Sequence, residues 1–347
     1  MIELERFAAS TSDVADPKLA IIIACWNYAD YVGEAISSIL DQKRTDCELI
    51  VVDDGSTDGS WDVIRQYPVT AYRIKNSGQR AACAFAVERT KAPFILFLDA
   101  DDKLIAGALD TILPQLDETV SKLQFPLIRV DRNGMVIGDP VPKLENFHDS
   151  GALIKSVLAN GTYTTPPTSG NVFRRDLCHL LKDATYDRAV DGVILFAAPF
   201  FGTVVSLSTP LGHYRVHDRN DSGLGRPLDP ELLRREIDRF TVRMEHLRQI
   251  LANVGRANEL VATDKAHFWL ERSIYLAVAE GRRVSLSMLW RLLRIIAATS
   301  HTLKTKAALT AFLLLTAILP NRRARRGLAY RLNVGHRSMG GLLRAFL

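Results

Sequence analysis

The sequence predicts an α/β fold built on a doubly wound, mostly parallel sheet, and three observations carry that prediction. Short apolar runs rich in Val, Ile and Phe alternate with amphipathic stretches of helical period. Two of the runs end abruptly in carboxylates, at Asp53-Asp54 and at Asp99-Ala100-Asp101-Asp102, and from Asp229 onward the pattern becomes helical throughout. Strands are expected over 19–24, 48–53, 69–74 and 94–98, with helices over 30–42, 59–67 and 79–91 between them. Strand and helix alternating at this spacing is the signature of parallel βαβ units. Asp58 or Gly59 can start the second helix, and Pro93 sits at the beginning of the fourth strand without breaking it.

Beyond Asp102, the spacing of Leu104, Ile105, Ala108, Leu109, Ile112, Leu113 and Leu116 predicts one helix with a single apolar face. Two extended runs within 122–138 flank Asn133-Gly134, a strong hairpin signal. Residues 139–169 read as loop, with Pro140, Pro142 and Pro166-Pro167. A short strand over 171–174, a helix over 189–200 and strands over 203–207 and 211–216 follow, ahead of a Gly- and Asp-rich loop over 217–228. The expected organisation is an N-terminal extension (1–18), a catalytic domain (19–228) and a basic helical region (229–347).

A chain of 347 residues with 47% hydrophobic content can bury one large core or two modest ones. Its four cysteines are scattered, with no C-x-x-C pair and no His at zinc spacing, and read as small core residues in a reducing compartment. Residues 1–18 lack a basic start followed by an apolar stretch, so no secretory signal is expected. The net charge of +5 conceals a division: residues 281–347 hold 13 Lys and Arg and no Asp or Glu, leaving 31 basic against 39 acidic residues before them. Such asymmetry points to a polyanionic partner, nucleic acid or an anionic membrane leaflet.

Apolar strands that empty into acids place those acids at one edge of the sheet, where open α/β sheets bind ligands. Two acidic clusters facing one crevice repel each other unless a cation lies between them, and a divalent metal carrying a diphosphate is the economical candidate. Hard cations such as Mg²⁺ and Mn²⁺ take carboxylate oxygen and are completed by substrate phosphates. Turn and capping chemistry is the plainer alternative for either cluster alone, since Asp, Gly and Ser are the residues turns prefer.

The run Ile21-Ile22-Ile23-Ala24-Cys25-Trp26-Asn27-Tyr28-Ala29-Asp30-Tyr31-Val32, then residues 35–42, then Asp53-Asp54-Gly55-Ser56-Thr57-Asp58 and Asp99-Ala100-Asp101-Asp102, resemble in identity and order the motifs of family 2 glycosyltransferases of the GT-A fold. The resemblance covers residues 19 to about 225 and leaves out the last third. It implies an inverting, metal-dependent transfer of a sugar from a nucleotide diphosphate donor, with UDP the expected nucleotide. The implied acceptor is a hydroxyl of a glycan or lipid-linked molecule, as in cell-surface polysaccharide biosynthesis.

Donor contacts are implied at Ala24, Trp26, Asp54, Gln79, Arg80, Asp99 and Ala100. Trp26 matches an aromatic that stacks on the base, the alternative being a core or rim Trp. Asp54 matches the carboxylate that accepts from uracil, with Asp53 structural or near the ribose. Asn76-Ser77-Gly78-Gln79-Arg80 opens a helix whose free N–H groups and Arg fork suit phosphate, although an ordinary cap with a solvated Arg explains it too. In the D-x-D element Asp99 is expected near the ribose and Asp101 on the metal, with Asp102 supporting it or capping a helix. Asp191, in Tyr186-Asp187-Arg188-Ala189-Val190-Asp191-Gly192, matches the general base, while Val190 stands where many relatives carry Glu. Asp187 is the fallback, and an N-cap the plainer alternative. Residues 211–223 resemble a Tyr-Arg-x-His-x-x-Asn-x-Ser signature, so His217 is expected on the same metal or on the diphosphate, with Arg215 adding positive charge.

In the tail, the apolar stretch 307–319 is too short to span a bilayer, which takes about 20 residues. Flanked by Lys304, Lys306, Arg322, Arg323, Arg325 and Arg326, it suits a helix lying in a membrane interface, and a packed helical subdomain is the alternative. The expectation is a cytoplasmic protein, peripheral at the inner face of the membrane. Nucleic acid is disfavoured, because the tail has few aromatics for base stacking. The rival function is a glycosyltransferase-like binding or scaffold protein that has lost its donor site, which Val190 alone favours. A sugar-nucleotide pyrophosphorylase lacks its Gly-rich phosphate loop.

Overall fold

The structure is a computed structural model that describes residues 3–7, 16–186, 190, 192–217, 228–299, 302–332 and 339–346. In chain order the elements are β1 (Glu3–Phe7), β2 (Leu19–Cys25), α1 (Val32–Leu40), β3 (Cys47–Asp53), α2 (Ser60–Ile64), β4 (Thr70–Ile74), α3 (Gln79–Val87), β5 (Phe94–Asp99), β6 (Lys103–Leu104), α4 (Ala108–Ile112), β7 (Val120–Gln124), β8 (Leu127–Val130), β9 (Phe147–Asp149), α5 (Gly151–Asn160), β10 (Asn171–Arg174), α6 (Gly192–Ala197), β11 (Thr203–Ser206) and β12 (Gly212–Arg215). Helices α7 (Pro230–Asn253), α8 (His267–Ala279), α9 (Leu286–Ala298), α10 (Leu303–Ile318), α11 (Asn321–Leu332) and α12 (Met339–Phe346) complete the chain. It divides into two compact units, Met1–Val157 with Thr162–Asp218, and Leu158–Gly161 with Arg219–Leu347.

In the first unit a nine-stranded sheet runs in the order β1-β4-β3-β2-β5-β10-β7-β11-β9, and β6-β12-β8 form a smaller sheet. β4, β3, β2 and β5 are parallel. β2 lies at their centre and buries apolar side chains on both faces, as a strand covered on both sides must. Helix α1 supplies cover with Val32, Ala35, Ile36 and Ile39, spaced along one face. Chain order runs outward from β2 to β4 and then returns to β5 on the other side of β2, so it reverses between β2 and β5. Registers are aligned: Cys25 pairs with Asp53, and Ala24 pairs with both Val52 and Asp99. The two acidic strand ends therefore share one edge, flanking the end of β2 at the topological switch.

Four local expectations change. Residues 3–7, read as part of an extension, form strand β1, because the edge of β4 offers it antiparallel hydrogen bonds. The helix expected over 104–116 begins only at Ala108, since Lys103 and Leu104 pair with β12 and Leu104 is buried there. Around Asn133-Gly134 the long hairpin shrinks to two isolated antiparallel bridges, Val130 to Val136 and Leu127 to Val141. The Asp131 carboxylate accepts from the Asn133 and Met135 amides and closes a tight turn, while β7 and β8 enter different sheets. Within 139–169, β9 and α5 replace loop: the Asp149 carboxylate accepts from Gly151 N and Ala152 N, capping a helix whose signal preceded a short apolar run.

The second unit packs around its own core, with Leu270, Ile274 and Tyr275 of α8, Leu292 of α9, Phe312 of α10 and Leu328 of α11 all buried together. Asp229 caps α7 and Pro230 takes its first turn. Among the described residues no helix is long and apolar enough to cross a membrane.

Cys25, Cys47, Cys83 and Cys178 are all buried and free, and burial pushes the Cys25 and Cys47 thiols up to about 12. An aromatic disulfide reagent at pH 8 should label the folded protein at least about tenfold more slowly than the unfolded chain, because the thiolate is the reactive form. Fast labelling of any of the four in the folded state would contradict this packing.

Candidate active site at the acidic edge of the sheet

Two loops at the ends of β2 and β3 are tied to each other before any ligand is considered. Asn27, in the left-handed region at φ 59, turns its side chain so that Oδ1 accepts from Thr57 N at 2.8 Å and Asp58 N at 3.3 Å. In return Asn27 N donates to Ser56 Oγ, Tyr28 N to Ser60 Oγ and Ala29 N to Asp58 Oδ2. Gly55 sits at φ +69, and a Cβ there would lie 2.8 Å from Asn76 N, so only glycine lets β3 turn beneath the β4–α3 loop. Asp54 grips that loop, accepting from Ser77 N and Gly78 N at 2.7 Å each. Asp53 is fully buried and pairs with Arg73 at 3.1 Å. Burial raises the pKa of both carboxyls.

The D-x-D turn after β5 is built as firmly. Ser169 Oγ accepts from Asp99 N and donates to Asp102 Oδ2 at 2.6 Å. Its neighbour Gly170 leaves no slack, because a Cβ there would lie 2.6 Å from Phe125 O and from the Pro166 ring. Arg215 is 2% exposed. Its guanidinium donates to Asp101 O, Arg132 O and Glu34 Oε2, its amide donates to Asp102 Oδ1, and its charge lies 4.6 Å from the Tyr31 ring centroid. The expectation of Arg215 as added positive charge thus becomes a buried tie between the acidic turn, α1 and the Asp131 turn. Burial, with Asp101 and Asp99 adding to it, pushes the Asp102 carboxyl well above the ordinary carboxylate range.

His217 Nε2 lies 2.8 Å from Asp101 Oδ2, with the imidazole stacked on Tyr31 at a centroid distance of 5.6 Å. The structure thus brings together two residues 116 apart that sequence assigned to one metal. Carboxylate oxygen is the hard ligand that suits Mn²⁺ or Mg²⁺, and the crowding that lifts Asp102 is what a cation at this edge would relieve. Among the described residues no group of three or more His, Cys, Asp and Glu is arranged to hold a metal ion.

The other expected donor contacts lie around the same edge. Ala24 is half-buried at the end of β2, Ala100 is buried, and Trp26 is 53% exposed. Gln79, at the start of α3, donates through Nε2 to Asp99 Oδ1. Arg80 Nη1 donates to Leu181 O, so part of its fork holds the segment that precedes α6. Asp191 and its fallback Asp187 lie outside the described residues. Sequence reasoning missed Ser169 and Glu34, since a lone Ser after two prolines and a helical Glu carry no local signal of a partner far along the chain.

A mixed α/β sheet with carboxylates gathered at the switch-point edge is what the GT-A resemblance implies. The comparisons agree: residues 20–176 match the family described as glycosyl transferase family 2, and the chain carries a domain of that family. An uncharacterized glycosyltransferase, alr2836, of Nostoc sp. is 33% identical over 219 residues, covering 59% of this chain and 66% of its own length. A putative teichuronic acid biosynthesis glycosyltransferase of Bacillus subtilis, TuaG, is 39% identical over 115 residues, covering 31% of this chain and 46% of its own length. The matched stretches thus span only about half to two thirds of these curated relatives. The crystal structure of S. aureus TarS superimposes with a TM-score of 0.50 at 19% identity, covering 90% of this chain and 52% of that one, a likeness of fold.

Replacing Arg215 with Met should cost about 3 kcal/mol in urea unfolding, because buried carbonyls lose their donors; a loss below about 1 kcal/mol would refute the tie. Partial burial pushes the Glu34 carboxyl up, yet Arg215 and Lys103 prevail and hold it below its usual range. Compared with Glu34→Gln, the wild-type protein should therefore keep its advantage above about pH 4.3 and lose it as pH falls through the lower folded-state value. Unfolding midpoints across this range check the sign.

Proposed function

We propose that the chain is an inverting glycosyltransferase that moves a sugar from a nucleotide diphosphate donor, UDP-linked in this reading, to a hydroxyl of a glycan or lipid-linked acceptor. The observation that carries this is the meeting of Asp101 and His217 at the sheet edge beside Asp99. Residues 19–228 form the catalytic domain in this reading.

Trp26, exposed at the mouth of the edge, offers its ring to the base. Ala24 and Ala100 are small enough for the nucleoside to lie close. Asp54 keeps the β4–α3 loop in shape while facing the base, and Asp99, held by Gln79, faces the ribose. The first turn of α3 and the charge of Arg80 face the diphosphate. Asp191 takes the acceptor proton as the acceptor oxygen bonds to the anomeric carbon and the bond to the diphosphate breaks, a single displacement that inverts the centre. Asp101 and His217 would hold a divalent cation, whose chemistry is to offset the charge gathering on the departing diphosphate.

The B. subtilis relative, named for teichuronic acid biosynthesis, supports a cell-surface polysaccharide as the product class. The basic residues 229–347 fit a cytoplasmic protein peripheral to the anionic inner face of a membrane. Val190, buried and apolar where the resemblance implies Glu in many relatives, favours a second reading as a glycosyltransferase-like scaffold.

The test is thermal stability with UDP, GDP, dTDP and CDP, each with and without Mn²⁺. A nucleotide at 100 times its dissociation constant should add about 2.7 kcal/mol, a rise of a few degrees that depends on Mn²⁺. Asp101→Ala should lose that dependence and lower transfer about a hundredfold or more. Near-normal turnover in Asp101→Ala would end the metal assignment, and no rise with any nucleotide would favour the scaffold.

A further inference from the structure

Helix α10 is apolar on more sides than its own unit covers. From Ala307 to Leu319 it carries only apolar residues and threonines, and a helix apolar all round belongs in an interior. One side is in an interior: Phe312, Leu313 and Thr316 are buried, with Phe312 edge-on to Tyr275 and against Phe346. The other side is not. Leu303, Ala307, Ala311, Leu314 and Ile318 are exposed, and their spacing of four, four, three and four residues puts them on one stripe about 22 Å long. Leu303 is 85% and Ile318 76% exposed. On the preceding helix Leu286 and Trp290, one turn apart, are 78% and 64% exposed. Eleven large hydrophobics are exposed among the described residues, and five of them fall on α9 and α10. Isolated exposed apolar residues need no explanation, but this concentration does.

Charge identifies what covers the stripe. Arg283 just before α9, Arg294 on α9, Lys304 in the first turn of α10, and Arg322, Arg323, Arg325 and Arg326 in the α11 segment that follows are all exposed. Residues 281–347 carry no Asp or Glu, and the acids of the preceding segment are already engaged, Glu280 with Arg282, Asp264 with Arg291 and Glu271 with Arg331. A second copy of this chain would set these cations against their own kind. Nucleic acid would satisfy the cations and leave the aliphatic stripe in water. An anionic bilayer satisfies both.

We infer that the α9–α10 face is a membrane-docking surface, its aliphatic stripe and Trp290 entering the interface of an anionic bilayer while the flanking arginines and lysine stay at the level of the lipid phosphates. At 16 residues α10 lies along the interface and does not cross it. The inference rests on the reading of a membrane-peripheral protein and narrows it from the whole basic region to one face.

The experiment is co-sedimentation of the full chain with phosphatidylcholine vesicles, with and without phosphatidylglycerol, alongside Trp290 fluorescence. Binding should be at least about tenfold stronger to the anionic vesicles, with a blue shift that Trp290→Phe removes. The double variant Leu303→Glu, Ile318→Glu should bind at least about tenfold more weakly while keeping its melting temperature. If it unfolds, Leu303→Ser with Ile318→Ser replaces it. Val242→Glu, exposed on α7, should bind as the wild type does. Undiminished binding by the stripe variants would overturn this face and leave the membrane reading standing. Failure of the wild type to bind any vesicle would sink both. A solution dimer dissolved by Ile318→Glu would overturn the inference in favour of self-association.

Discussion

The buried guanidinium of Arg215 is the constraint on which the rest of the acidic edge depends. Sealing an arginine from water is tolerable only if its donors and its charge are matched. Here the matching groups are drawn from three separate parts of the chain: Asp101 O from the D-x-D turn, Glu34 from the first helix, and Arg132 O from the Asp131 turn. The same residue's amide holds Asp102, and two residues on His217 reaches Asp101. One side chain thus fixes the position of the strand that delivers the imidazole and of the turn that receives it. A charge that would be costly alone becomes the fastening that makes the site a single piece.

This division of labour explains which features the sequence makes legible. Strands β2, β3 and β5 are readable because a strand buried on both faces must be an uninterrupted apolar run, and the acids that end them are readable because they break that run abruptly. The pairing of Asp101 with His217 is readable only through the resemblance, since nothing in 116 residues of separation suggests contact. Arg215 reads in sequence as added positive charge beside His217, and only its burial reveals its role as a tie. The register of Leu104 and Ile105 suits helix and strand alike, so the choice falls to a tertiary partner, β12, that local pattern does not contain. α5 is a different failure: its Asp149 cap is written in the sequence, but the prolines around it dominate the reading.

The second unit shows the same principle at a coarser grain. Apolar content alone does not say whether a short helix is buried in protein or in lipid headgroups. In α10 one side is buried in the bundle, at Phe312 and Leu313, and the other is exposed, at Leu314 and Ile318. The alternatives of a packed subdomain and a membrane-facing helix are therefore compatible, and the first supplies a rigid platform for the second.

Ser169 gives the acidic edge a further property. Its hydroxyl accepts from the backbone of Asp99 and donates to the carboxylate of Asp102, and the same residue belongs to the segment that leads into β10. With Gly170 pressed against Phe125 O and Pro166, that segment has no room to absorb a displacement locally. A shift of β10 or of the prolines before it must move the hydroxyl, and moving the hydroxyl changes how well the charge on Asp102 is solvated. The two halves of the sheet therefore share one hydroxyl, so the position of the segment before β10 and the orientation of the Asp102 carboxylate are set together.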